Sequence, residues 1–180
     1  GDEMLTVVRF NADGSLDLTF GGGDGIAQVE VEVGGDDLAH GIALQADGKI
    51  VQTGYSDNGE LFVVRWDSDG LLDASFGTGG IVTTDILGGT DFGQSVVTQS
   101  DGKIVVAGYH NNGVSDEFAV LRYSTDGSLD TSFGGGNGYV TTPIGAGLDQ
   151  AFDLAILPDG SILLVGNSSN GTDNDVAVVR

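Results

Sequence analysis

The sequence contains no cysteine, only 2 prolines and only 6 basic residues in 180 positions. Without cysteine there is no disulfide, thiolate nucleophile or thiolate zinc site, so any metal site must use oxygen or histidine. The 2 Lys and 4 Arg face 22 Asp and 5 Glu, leaving a formal net charge of −21. Such a charge repels nucleic-acid phosphate and anionic lipid and attracts divalent cations, so no nucleic-acid partner is expected. No apolar run reaches membrane length, so no membrane partner is expected either. No segment has the basic, apolar and small-residue order of a signal peptide. His-Glu-x-x-His, Gly-x-Ser-x-Gly and phosphate-loop motifs are also missing, and with them the strongest sequence signs of catalysis.

What is abundant is glycine, with 32 residues, and short apolar runs that bring the hydrophobic fraction to 39%. Together they describe a turn-rich, all-β chain with enough apolar side chains for a core. The runs recur. RFNADGSLDLTFG at 9–21, RWDSDGLLDASFG at 65–77 and RYSTDGSLDTSFG at 122–134 are copies of one pattern. ADGKIVQTGY at 46–55, SDGKIVVAGY at 100–109 and PDGSILLVGN at 158–167 are copies of a second. Arg9, Arg65, Arg122 and Arg180 are 56, 57 and 58 residues apart, so residues 1–180 form a single domain of three repeats.

Each repeat offers four short strands; in the middle unit these are 94–99, 103–109, 117–123 and 139–142. Asp101-Gly102 joins the first two as a tight hairpin, with counterparts at Asp47-Gly48 and Asp159-Gly160. Four strands per unit and a period above about 40 residues predict a β-propeller of four-stranded blades, three blades per chain. The recurring Arg at the end of the third strand, followed by recurring Asp, predicts an ion pair inside each blade. Leu129 and Phe133 are expected to tuck beneath the blade, with Asp130 capping the backbone beside them.

The two runs resemble the delta-60 repeat family of bacterial β-propeller proteins, which carries R-[YF]-x-x-D-G-x-L-D-x-x-F-G-x-G-G and Q-x-D-G-K-I-x-x-x-G-Y. The resemblance extends over residues 5–180, with departures at Ser161 and Asn167 that mark the third unit as atypical. It implies a propeller and placement in surface or secreted proteins, hence an extracellular or cell-surface location in a bacterium. It brings no catalytic residues with it.

Third-type strands occur four times and the other types three times, so the chain begins and ends inside a blade. Propellers close with about 4–8 blades. A homodimer of six blades satisfies this, each chain's strand near 26–31 completing the partner's last blade. The alternative is a piece or excision of a longer array.

The face opposite the Asp-Gly hairpins is where the units differ. Aligned on those hairpins, Asp37, Asp91 and Asp149 coincide; three residues on stand His40, Gln94 and Phe152, then Gly41, Ser95 and Asp153. The three aspartates are candidate ligands for calcium or another divalent metal near the channel, although capping of the strand-entry loops, the usual employment of a recurrent Asp, is the simpler reading. His40, His110 and Asp153 are the candidate catalytic residues, His110 being expected in the loop after the second strand. Two functions follow. One is a repeat propeller module that presents this variable face to a small ligand or surface partner, with a divalent cation bound. The other is a metal-dependent hydrolase of phosphoesters or lactones.

Overall fold

The structure, a computed structural model, describes residues 4–180. Thirteen strands form four antiparallel sheets, and the only helical element among the described residues is a 3-10 turn at Gly134–Gly136. The first sheet is a pair, β1 (Leu5–Val8) with β2 (Ile26–Val29). Next comes a four-stranded sheet in sequential order, β3 (Asp37–Leu44), β4 (Ile50–Ser56), β5 (Leu61–Trp66) and β6 (Ile81–Thr84). The third repeats it with β7 (Thr90–Thr98), β8 (Ile104–Asn111), β9 (Asp116–Tyr123) and β10 (Tyr139–Thr142). The last has three strands, β11 (Asp149–Ile156), β12 (Ile162–Ser169) and β13 (Asn174–Val179).

These sheets are the blades expected from the repeats, with a half-blade first and a three-stranded blade last. The inner strands β3, β7 and β11 lie beside one another in that order. Hydrophobic alternation explains how blades stack, because each strand serves two cores at once. In β5, all six side chains are buried. Leu61 and Val63 pack towards the middle blade with Ile104, Val106 and Leu121. Phe62, Val64 and Trp66 pack the other way, against Leu5, Val7, Phe20 and Ala27. A third core joins Val105, Ala107 and Phe118 to Ala151, Leu154, Leu164 and Ala177 of the last sheet.

The Asp-Gly hairpins are one residue longer than the tight turn expected. Gln99 N–H donates to Lys103 O and Gly102 N–H to Gln99 O, so Ser100, Asp101 and Gly102 form the loop, Gly102 at φ 83°. Asp101 is the reason: its carboxylate accepts the Lys103 N–H and closes the turn.

The Arg–Asp pairs form as expected. Nε of Arg9, Arg65 and Arg122 lies 2.8, 2.8 and 2.7 Å from Asp17, Asp73 and Asp130. Each guanidinium also covers the ring of Phe20, Phe76 or Phe133 at 4.5–4.7 Å. Lys49 and Lys103 add a second cation to Asp73 and Asp130. Asp73 is half-buried, which alone would raise its pKa, but Ser75, Lys49 and Arg65 hold it well below the usual carboxylate range.

Candidate functional site

The heads of the inner strands carry the predicted aspartates, all buried. One carboxylate oxygen of each accepts backbone N–H groups from the loop that enters its blade. Asp37 receives Val31 at 2.6 Å, Asp91 receives Ile86 at 2.6 Å, and Asp149 receives Ile144 and Gly145 at 2.7 and 2.9 Å. Each therefore pins its outer-to-inner connection, the capping role that competed with metal binding. Burial would raise Asp149, yet hydrogen bonds from Ser168 and the backbone of Ile144 and Gly145 keep its pKa lowered. Among the described residues, no group of three or more His, Cys, Asp or Glu stands together as a metal would require.

His110 is not in a rim loop. Strand β8 runs on to Asn111 because Asp116 opens β9 directly opposite it, so His110 is a buried strand residue. Its Nδ1 lies 2.8 Å from Asp91 Oδ1. Burial pushes the Asp91 carboxyl up, with the Ile86 N–H and His110 opposing that shift. In the other blades the place opposite the aspartate belongs to Ser56 and Ser168.

The residues three on from each aspartate share a different property. Register slips between Ala39 and Gly41, between Gly93 and Ser95, and between Ala151 and Asp153. His40, Gln94 and Phe152 are thus the extra residues of three β-bulges, lifted out of the ladder where side chains are re-aimed. His40 and Phe152 are exposed. The bulge also explains the glycine that recurs in the second strand of each blade, before Tyr55, Tyr109 and Asn167. A Cβ on Gly54, Gly108 or Gly166 would meet a carbonyl oxygen of the bulged strand at 1.9, 1.7 or 1.9 Å.

The catalytic candidates remain apart. His40 stacks on Tyr55 at 5.4 Å, His110 pairs with Asp91, and Asp153 accepts from Ser95 Oγ at 2.8 Å across two blades. No hydrogen bond links one to another.

What the structure does assemble was not read from the sequence. His40, Tyr55, Phe92 and Tyr109 form a ladder of rings with centroids 5.4, 4.6 and 4.4 Å apart, crossing from the first full blade to the next. Beyond Tyr109 the ladder gives way to polar groups. Asp116 accepts from Asn111 Nδ2 and from Gln150 Nε2, both at 2.6 Å, the second bond reaching into the last blade. Burial, with the charge of Asp116 beside it, pushes the Tyr109 hydroxyl up to about 12. Phe92, Tyr109, Asn111, Asp116, Leu148 and Gln150 line a cleft between these blades. Its sequence signal was departure from the repeat: Asp116 aligns with Gly59, and Phe92 and Gln150 align with Leu38.

The profile of the family described as "Domain of unknown function (DUF5122) beta-propeller" matches residues 5–20, 45–76, 99–133 and 157–180. The matched segments hold the second and third strands and the Arg–Asp–Phe turns. They leave out 21–44, 77–98 and 134–156, where the inner strands and the bulged residues lie. No curated protein matches the chain. With more than half its residues matched and its sheets arranged as blades, the chain belongs to this β-propeller family of unknown function.

Proposed function

We propose that this chain is a binding module, in which repeated residues build the blades and the variable rim receives a small ligand in the cleft between β7–β8 and β11. The observation that carries this reading is the placement of Phe92 and Tyr109 beside the Asn111–Asp116–Gln150 network. Half-buried rings supply an apolar face, while amides and a carboxylate at one edge fix orientation, the usual composition of a small-molecule site. The net charge of −21 directs it to neutral or cationic ligands. A compact ring compound bearing hydroxyl or amine donors, such as a saccharide, suits both the aromatic face and the acceptors.

Divalent-cation binding rests on net charge alone, and the hydrolase reading has no residue cluster in its favour. Titration with neutral and amino sugars, followed by NMR, tests the proposal. Aromatic resonances of Phe92 and Tyr109 are expected to shift saturably, and Gln150→Ala is expected to weaken binding about tenfold, the loss of one or two good hydrogen bonds. Shifts confined to the opposite, Asp-Gly face around Gln45 and Gln99 would contradict it.

A further inference from the structure

Blades are joined by a turn that enters a socket. In the first joint, Arg9 Nη1 donates to Ser68 O and Gly21 N–H to Asp69 O, so the turn 67–70 of the next blade sits over Phe20. In the second, Arg65 Nη1 donates to Thr125 O at 2.6 Å and Gly77 N–H to Asp126 O at 2.8 Å. Phe20 and Phe76 are wholly buried as a result. The glycine of each arriving turn makes the fit possible. A Cβ on Gly70 would lie 2.8 Å from the Phe20 ring, and one on Gly127 would lie 2.8 Å from Gly77 N.

The third socket has the same parts and no turn in it. Arg122 holds Asp130, Ser132 and the Phe133 ring, but no carbonyl of another blade accepts from it among the described residues. Phe133 is only half-buried and Val140 is 37% exposed. Together with Thr142, Ile162 and Leu164 they line an open groove. At the other end of the molecule a turn of the same kind is unused: Asn11, Ala12, Asp13 and Gly14 are all exposed, and a Cβ on Gly14 would meet nothing within 4 Å.

We propose that the groove over Arg122, Phe133 and Val140 is the docking site for the Asn11–Gly14 turn of a second copy of this chain, whose β1–β2 hairpin completes the β11–β12 sheet in place of β13. The half-used faces of β1 and β13 argue for this occupant. The repeat aligns Arg9 with Arg180, so Leu5, Thr6, Val7 and Val8 correspond to Val176, Ala177, Val178 and Val179. Strand β13 buries Ala177 and leaves Val176 and Val178 exposed at 79% and 65%. Strand β1 does the reverse, burying Leu5 and Val7 and leaving Val8 exposed at 41%. With β1 of the second copy beside β12, Thr6 and Val8 take the positions of Ala177 and Val179. Leu5 and Val7 keep the cover of their own blade, and both faces of the strand are occupied. Two such exchanges close a ring of six blades, an arrangement independent of what the rim binds.

Light scattering coupled to size exclusion tests the proposal, over a concentration series in moderate salt to screen the repulsion between two acidic chains. A dimer of twice 18.3 kDa is expected. Gly14→Ala, which blocks the turn, and Val140→Asp, which charges the groove, should each raise the dimer dissociation constant at least tenfold. Gly113→Ala, in the β8–β9 turn away from the groove, has the same left-handed backbone and equally empty surroundings, so it should leave association unchanged. An equimolar mixture of the two defective variants retains one intact joint and should regain part of the association. Circular dichroism confirms that each variant is folded. A chain that is monomeric at every concentration, or a dimer indifferent to both Gly14→Ala and Val140→Asp, overturns the proposal; the latter would mean blades stacked face to face without the socket.

Discussion

At the scale of single residues, the arginines do three jobs with one side chain. Nε pairs with an aspartate of the same blade, the guanidinium plane covers a phenylalanine, and Nη1 of Arg9 and Arg65 reaches a carbonyl in the next blade. The first job was legible, because Arg and Asp recur 8 residues apart in every unit. The third was not, because its acceptor is a backbone carbonyl about one repeat away and has no side-chain signature. Burial separates the consequences: the Arg65 side chain is 4% exposed and that of Arg9 34%. Arg65→Ala is expected to cost about 2–4 kcal/mol by leaving Asp73 and Thr125 O short of donors. Arg9→Ala is expected to cost about 1 kcal/mol or less. Urea unfolding of both variants measures the difference. His110 misled the sequence reading because Gly-Tyr closes the apolar run and leaves His-Asn-Asn looking like a loop. Only the pairing of Asn111 with Asp116 shows that the strand continues.

At the scale of elements, the outer strand β10 fell where expected, at 139–142, and β8 and β9 shifted by one or two residues. The inner strand β7 starts at Thr90, four residues before the apolar run suggested, because the buried Asp91 holds the entering loop against the blade. Its bulge was visible only indirectly. The aligned positions of His40, Gln94 and Phe152 differ in chemistry, as they can when a side chain leaves the ladder, but a register slip has no residue signature of its own. The glycine opposite it does recur, at Gly54, Gly108 and Gly166. Gly108→Ala places a Cβ 1.7 Å from the Phe92 carbonyl oxygen, so the inner strand must shift. A loss of about 1–3 kcal/mol is expected, to be read from denaturant midpoints at unchanged slope.

At the scale of the whole molecule, the fold divides into a repeated scaffold and an unrepeated rim. The scaffold was legible because three copies of each motif report the same environment. The cleft was not, because Phe92, Tyr109, Asp116 and Gln150 come from two blades and meet only when those blades stack. The central claim is that turns entering sockets hold the blades together, while the unrepeated rim, where the bulges and the cleft lie, contributes little to stability and is free for binding. Thermal unfolding of Gly127→Ala beside the triple variant His40→Ala, Gln94→Ala, Phe152→Ala tests it most directly. Gly127→Ala should lower Tm by roughly 5 °C or more, because its Cβ cannot enter the socket of Phe76 and Gly77. The triple rim variant should melt within about 2–3 °C of the unaltered chain, as surface substitutions generally do. A rim variant that melts as early as Gly127→Ala would contradict the division of labour between scaffold and rim.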